Sequence, residues 1–292
     1  MARANDADRP TEHLTSAPGL GGAFARALIP SRGRDARVPA RAVTIHGHRQ
    51  DRARLADYSR VCGFTLRNAV PPTWLHVLTF PLHVHLLGDP SSSVKLVGAV
   101  HVSNGMTMHR TVRAEEVLDL TVHVEAPRPH RRGALVDLVG QAHVGEELVW
   151  EGVSTYLSSS VTVPGDPEER ERMPFEPQHP HGLWRLPADL GRHYRRVSKD
   201  PNPIHTSRLA AKAFGFPRPI IHGMWTHARA LAALDGRLPE SYDTHVDFLK
   251  PILLPRTVGF ASTRVDGGFD ATVTSRDGVK PFLLMSVREG DA

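Results

Sequence analysis

The chain has 292 residues, of which 40% are hydrophobic and 23% are charged, and its formal net charge is +5. This length favours one large or two small domains over a minimal one, with enough apolar side chains for a sizeable core. The longest apolar runs fall far short of the roughly 20 residues that a membrane-spanning helix needs, and the N-terminal region lacks the apolar stretch of a secretory signal. Because Cys62 is the single cysteine, an internal disulfide and a cysteine-based zinc site are excluded. We therefore expect a soluble, cytoplasmic protein without a membrane span.

The basic residues are almost all arginines, scattered along the chain among Asp and Glu. A positive balance of this size favours an anionic partner, such as a phosphorylated cofactor or an acidic carrier protein. Nucleic acid is an alternative partner suggested by the high isoelectric point, but the sequence contains no nucleic-acid recognition motif. We therefore expect no nucleic-acid partner.

Composition divides the chain into four parts. Residues 1–38 mix Gly, Pro, Ala, Arg and Asp without periodicity, which is typical of a flexible N-terminal arm. Residues 159–181 are rich in proline and charge, which is the composition of an interdomain linker. Two folded domains are therefore predicted, at 39–158 and 182–292.

Both predicted domains show helix patterns followed by strand patterns. The helix candidates are 53–64 and 73–87 in the first domain, and 189–200 and 223–234 in the second. Pro81 is expected to end or kink the helix in which it lies. The strand candidates, rich in Val, Leu and Thr, are 94–103, 118–127, 133–144, 147–158, 245–253, 257–267, 269–277 and 281–289. A helix followed by an antiparallel meander, twice over, predicts an α+β fold.

The stretch from Tyr194 to Ala228 contains the residues best suited to chemistry. Asp200 and His205 are separated by the sequence PNPI, whose two prolines predict a stiff loop. Such a loop can hold a carboxylate and an imidazole at a fixed separation, as acid–base catalysis requires. Asn202, between them, has a side chain suited to hydrogen-bonding a water or a neighbouring carbonyl.

Gly223 begins the apolar helix of the second domain, after the sequence PRPIIH. A backbone amide at a helix N-terminus is an unsatisfied donor with the helix dipole behind it. Glycine at this position allows a ligand to approach the backbone closely. The Gly223 amide is therefore a candidate oxyanion donor for a carbonyl oxygen that gains charge.

The whole segment resembles the signature of MaoC-like hydratases and dehydratases, the (R)-specific enoyl-CoA hydratase group, and is similar to actinobacterial (3R)-hydroxyacyl-thioester dehydratases. The matching residues are Asp200, Asn202, Pro203, His205, Ala210, Gly215, Pro219, His222, Gly223 and Met224. The resemblance implies a hot-dog fold, in its double form for a chain of this length, with a first half that keeps the fold but lacks the catalytic loop. Aligning Tyr58 with Tyr194 indeed places Phe64 opposite Asp200.

The resemblance also implies a reaction and its residues. Asp200 and His205 would activate a water for addition to C3 of a trans-2-enoyl thioester, or run the reverse dehydration, in fatty-acid metabolism. Asn202 would orient the water or the dyad, and the Gly223 amide would bind the thioester oxygen. Neither a metal nor a redox cofactor is implied. One departure is Lys199, which stands where the family usually has glycine.

Several other residues are candidates for substrate binding. Phe216, Met224 and Trp225 are expected in the acyl pocket, and His222 is expected to be a hydrogen-bonding residue of the site. Basic candidates for the phosphates of CoA or of an acyl carrier protein are Arg208, Lys212, Arg218 and the cluster RPHRRG at 128–133. The histidines 76, 83 and 85 are interpreted as core or helix-surface residues, since no recognisable metal-ligand set accompanies them.

Two alternative functions remain open from the sequence. A hot-dog acyl-thioesterase would hydrolyse the thioester, and a catalytically silent acyl-thioester binding protein would bind it without turnover. The sequence leaves the acyl chain length, the choice between CoA and carrier protein, and the direction of the reaction undetermined. A monomer and a homodimer are both compatible with two fused hot-dog halves.

Overall fold

The computed structural model describes residues 9–22, 35–96, 98–167 and 173–290. In the first half the elements are β1 Thr11–Leu14, β2 Ala42–Arg49, α1 Arg52–Cys62, α2 Pro72–Leu87, β3 Val100–Met108, β4 Val117–Val124, β5 Arg128–His130, β6 Gly133–Val144 and β7 Glu147–Ser158. In the second half they are β8 Gly182–Leu186, α3 Leu190–Ser198, a 3-10 turn Pro203–His205, α4 Arg208–Ala213, α5 Gly223–Ala233, β9 Tyr242–Phe248, β10 Arg256–Val265, β11 Gly268–Ser275 and β12 Pro281–Glu289.

The described strands form one twelve-stranded sheet, in which the two halves repeat the same topology. The first half has the order β2-β4-β6-β7-β3, and the second half has β8-β10-β11-β12-β9. These orders contain five strands from each half, since β1 lies at the edge of the sheet and β5 is off the main path. Numbered along the chain within each half, the five strands have the order 1-3-4-5-2 in both. The halves meet at the antiparallel pair of β3 and β9, with Gly105 opposite His245. The predicted α+β class and the internal repeat are confirmed.

The long helices lie against the sheet and share one core. Helix α2 contacts β4 and β6, α5 contacts β11 and β12, and the two helices contact each other. The Tyr58 ring lies 5.3 Å from the Trp74 ring and 6.0 Å from the Tyr194 ring, so the aligned tyrosines of the two halves touch inside the protein. No described helix combines the length and apolar character that crossing a bilayer demands.

The structure decides between the expectations for two elements of the first half. Pro81 does not end its helix, because α2 continues to Leu87. An internal proline costs a helix about 3 kcal/mol, and burial of nearly every side chain of α2 offsets that cost. The strand expected to start at Val94 begins instead at Val100, because Val94 is fully buried in a loop that packs on the core.

Four strands, β1, β2, β5 and β8, were not predicted. Strands β2 and β8 each open one half of the repeat, and β1 lies within the predicted N-terminal arm. Residues Thr11–Leu14 pair in parallel with β2, so this part of the arm is a strand of the sheet. Residues 1–8, 23–34 and 168–172, which include other parts of the predicted arm and of the linker, lie outside the described residues.

Candidate active site

The catalytic loop follows α3, and Lys199 is the residue that caps the C-terminus of this helix. Lys199 has φ 63°, and it is the one non-glycine residue with positive φ in the described chain. Its amide donates to the Arg195 carbonyl at 2.9 Å, which closes the helix. A left-handed residue at a helix C-terminus is most often glycine, which explains why a glycine suits this position in the family. The exposed Lys199 adopts the same turn at a steric cost.

Asp200 and Asn202 shape the loop through their own side chains. Asp200 Oδ1 accepts a hydrogen bond from the Asn202 amide at 2.9 Å, and Asn202 Oδ1 accepts one from the Ile204 amide at 3.3 Å. These are side-chain-to-backbone turns of the kind that Asp and Asn favour. Asn202 therefore also has a structural role, since it caps the 3-10 turn that ends at His205.

A backbone carbonyl fixes the tautomer of His205. His205 Nδ1 lies 2.9 Å from the Ile220 carbonyl oxygen. Because a carbonyl can only accept, Nδ1 carries the proton, and in the neutral ring Nε2 is left as a proton acceptor. Burial lowers the pKa of His205 and outweighs the opposing effects of Asp200 and of the Ile220 hydrogen bond. The imidazole is thus held as a neutral base.

His222 stacks on His205 rather than hydrogen-bonding within the site. The two ring centroids lie 3.6 Å apart, and His222 Nε2 is 3.7 Å from Asp200 Oδ2. Neither ring nitrogen of His222 has a hydrogen-bond partner among the described residues. Burial lowers the pKa of His222 well below its usual value, so its expected hydrogen-bonding role is replaced by that of a neutral ring packed on His205.

Asp200 is partly open to a cavity but otherwise surrounded by protein. Its side chain is 22% exposed. Burial raises the pKa of Asp200, against the lowering effects of His205, the Asn202 amide and Arg195. Lys199 is not among these influences. The ligand atoms of Asp200, His205 and His222 all lie within 4.8 Å of one another, so these three residues could also hold a metal ion.

Two glycines allow close approaches that bring the loop and α5 into place. Gly223 is the first residue of α5, and a Cβ there would lie 3.0 Å from the Phe248 ring. Gly191 lies in α3, and a Cβ there would lie 2.1 Å from the His205 carbonyl oxygen. Gly191 was not singled out in the sequence, since its importance arises only when α3 packs on the catalytic loop.

Asp200 and His205 line a cavity of about 520 Å³, and both halves of the chain contribute to its wall. Of the predicted site residues, it is lined by Asp200, Asn202, His205, Phe216, His222, Gly223 and Met224. The first half adds Arg132, from the basic cluster predicted at 128–133, and three residues that were not predicted to belong to the site, His76, His101 and Tyr156. The long-range pairing of β3 with β9 brings the halves together, and no local pattern in the sequence reveals it.

Four residues predicted to bind the substrate or its phosphates do not line the cavity, namely Trp225, Arg208, Lys212 and Arg218. Trp225 is 4% exposed in the core, and its indole nitrogen donates to the Val61 carbonyl at 2.9 Å. Arg208 and Lys212 lie exposed on α4. Of the histidines weighed as metal ligands, 76 and 83 are buried, and His85 lies 3.2 Å from Glu12.

Comparisons with known proteins agree with this geometry. A family model described as "MaoC like domain" matches residues 167–280. Over 265 residues the chain is 36% identical to 3-hydroxyacyl-thioester dehydratase X of Mycobacterium tuberculosis, an alignment that covers 90% of this chain and 95% of that protein. The chain belongs to the MaoC-like dehydratase family.

Solved structures of this family share the architecture. The crystal structure of HtdX from M. tuberculosis superposes with a TM-score of 0.76 at 36% identity, covering 86% of this chain and 100% of that one. A MaoC-like dehydratase from Phytophthora capsici gives a TM-score of 0.69 at 16% identity, over 88% of this chain and 97% of that one, which shows the fold alone. The double hot-dog arrangement expected from the sequence is confirmed.

Proposed function

We propose that this MaoC-like dehydratase is a hydro-lyase that interconverts (3R)-hydroxyacyl and trans-2-enoyl thioesters in fatty-acid metabolism. The observation that carries the proposal is the pairing of Asp200 with the unprotonated Nε2 of His205 at the wall of one cavity. A carboxylate oxygen of Asp200 and a ring nitrogen of His205 lie within 4.8 Å of each other, a gap that one water molecule spans with two hydrogen bonds. The name of the M. tuberculosis relative supports the same reaction class.

In the hydration direction, each atom of the water has an assigned place. His205 Nε2 takes a proton from the water held against Asp200, and the water oxygen bonds to C3 of the enoyl thioester. The Gly223 amide donates to the thioester oxygen as charge builds there. The dyad then passes the proton taken from the water to C2, which returns the dyad to its starting state. Acid–base catalysis of this kind typically contributes about 10²–10⁴-fold, and an oxyanion donor about 10²–10³-fold. Dehydration reverses these steps.

We further propose that exposed cations near the cavity receive the phosphates of the thioester carrier. Arg132 and Lys250 are exposed and line the cavity. Arg208 and Lys212 lie on α4, close in sequence to the catalytic loop, beside the 81% exposed Leu209. Both CoA and an acyl carrier protein present phosphate groups that such side chains bind. The cytoplasmic location and the oligomeric state stay predictions.

The decisive experiment follows the loss of enoyl absorbance when the protein meets trans-2-enoyl-CoA, with chiral analysis of the product. We expect Asp200→Asn and His205→Gln each to reduce kcat by at least about 10²-fold while the circular dichroism spectrum is unchanged. The matched control is the double variant D189N/H193Q, which alters an exposed Asp–His pair of α3, 3.5 Å apart. Full activity in either dyad variant would contradict the assignment.

The two alternative functions give different outcomes in the same assay. A thioesterase would release a free thiol, which a thiol reagent detects, whereas a hydro-lyase leaves the thioester intact. A silent binding protein would bind enoyl-CoA tightly without consuming it. Stereospecific formation of the (3R)-hydroxy thioester, without thiol release, is the result that we expect.

A further inference from the structure

A line of buried aromatic side chains leads from the dyad into the first half. The Tyr156 phenol interacts electrostatically with Asp200. Burial, together with the charge of Asp200, raises the pKa of Tyr156. The His101 ring stacks on Tyr156 at 4.4 Å, the His76 ring lies 6.1 Å from His101, and the His83 ring lies 5.5 Å from His76. We call His76, His83 and His101 the histidine track. Its members His76 and His101 line the same cavity as Asp200.

Two members of the track stand on one side of a helix that is otherwise largely apolar. His76 and His83 are seven residues apart in α2, nearly two turns, so they share one side of the helix. The Phe80 ring lies between them, 6.3 Å from each. His76 is 3% exposed and His83 is 1% exposed. The protein therefore buries two imidazoles where aliphatic side chains would pack without polar atoms.

These imidazoles have unused hydrogen-bonding capacity. Neither ring nitrogen of His83 has a partner among the described residues, and His76 Nδ1 makes only a 3.5 Å contact with Ser154 Oγ. Burial lowers the pKa of His76 to about 4 and that of His83 well below its usual value. Each ring is therefore neutral near pH 7 and offers one N–H donor and one acceptor. A buried polar group left unpaired costs about 1–3 kcal/mol.

The rest of the cavity wall near the track suits an alkyl chain. It includes Val77 and Phe80 from α2, and Met224, Phe282 and Leu283 from the second half. A plain alkyl chain would satisfy these apolar groups but would offer no hydrogen bond to His76, whose contact with Ser154 is 3.5 Å long. A chain with an oxygen atom at the depth of the track would satisfy both.

From this combination we propose that the acyl pocket takes a chain bearing a hydroxyl or keto oxygen beyond the reacting C2–C3 bond. The oxygen hydrogen-bonds to His76 and His101 at the cavity wall, and His83 marks the far end of the polar region. This inference rests on the proposed hydro-lyase function, because it names the acyl class that the same site selects. It assigns to the first half a role in specificity.

The test uses trans-2-enoyl-CoA esters of equal chain length, with no hydroxyl or with one hydroxyl moved along successive carbons beyond C4. We expect one position to raise kcat/KM by roughly tenfold over the plain chain, the equivalent of one recovered hydrogen bond. The variant H76F should abolish this preference, measured as the ratio of kcat/KM for the hydroxylated chain to kcat/KM for the plain chain. The variant H76Q, which can still donate and accept, should keep part of the preference and serves if H76F does not fold.

A control and an independent readout separate this proposal from the proposed function. His48→Phe removes another partly buried imidazole of the first half, one that does not line the cavity, and should leave the preference unchanged. Calorimetric binding of saturated acyl-CoA esters, with and without the hydroxyl, reports the pocket even if the protein hydrates nothing. Tighter binding of the hydroxylated ester that is lost in H76F supports the proposal. Equal binding of both esters, or a preference that H76F retains, overturns it.

Discussion

At the catalytic loop, a group outside the motif decides which nitrogen of His205 can act as a base. The Ile220 carbonyl accepts from Nδ1, and Ile220 lies 15 positions further along the chain. The carbonyl is held there because Ile220 also forms an isolated bridge with Leu253, which follows β9. The motif thus supplies the imidazole, while the segment before α5 supplies its tautomer.

The same environment predicts the pH dependence of turnover. Burial lowers the pKa of His205 and raises that of Asp200. Since the base form of the imidazole exists above its pKa, kcat/KM should fall as the pH drops through the values of this coupled pair. The acid limb should therefore lie below the ordinary imidazole value of about 6.5.

Measuring kcat/KM from mildly acidic to neutral pH checks this expectation. Samples held at each pH and returned to neutral pH before assay distinguish titration from unfolding. An acid limb centred above the ordinary imidazole value would contradict it, because it would mean that the site stabilises the protonated ring of His205.

At the scale of elements, the active-site loop depends on how closely α3 approaches it. Gly191 leaves only backbone on the side of α3 that faces the His205 carbonyl. We expect Gly191→Ala to push the loop and the helix apart, because a Cβ would sit 2.1 Å from that oxygen. The free energy of unfolding should fall by about 1–3 kcal/mol, as in other overpacked sites, and kcat should fall with it.

Denaturant titration and steady-state kinetics measure these two effects. Gly182→Ala is the control for an added methyl group without crowding, since no atom lies within 4 Å of its added Cβ and Gly182, like Gly191, has no positive φ. That control should leave kcat unchanged. Wild-type kcat in Gly191→Ala would show that the contact does not position His205.

The sequence predicted elements well where their signal is local. The strands 133–144, 147–158 and 281–289 agree with the structure to the residue, because turn residues bound their apolar runs. Strands β2 and β8 were missed because short segments beside the arm and the linker have little periodicity of their own. At Pro81 the local signal is not decisive, because burial of α2 outweighs the helix-breaking preference of proline.

For the candidate site, the motif located Asp200, Asn202, His205 and Gly223 at one cavity, while its wall could not be read locally. His101 and Tyr156 reach the cavity only through strand pairings across long separations of the chain. Trp225 has the apolar character of a pocket residue, and only the packing of α5 shows that its ring lies in the core. The position of a residue on the helix could not show whether its side chain lines the pocket or lies in the core.

On the scale of the whole molecule, the two halves behave as one structural unit. One sheet runs through both halves, and a single hydrophobic core contains side chains from each. Asp235, which follows α5, accepts a hydrogen bond from the Thr65 amide at 3.1 Å and pairs with Arg67, both in the first half. The halves therefore share backbone, apolar and polar contacts.

We expect calorimetry to show a single unfolding transition, because neither half can lose its packing without exposing the other. Asp235→Ala should lower the free energy of unfolding by about 0.5–1.5 kcal/mol, since it removes the acceptor of the Thr65 amide. The single transition should move to lower temperature without splitting. Asp57→Ala is the matched control, because it removes an exposed ion pair within α1 and should change little. Two separate transitions in the wild type would show that the halves unfold independently.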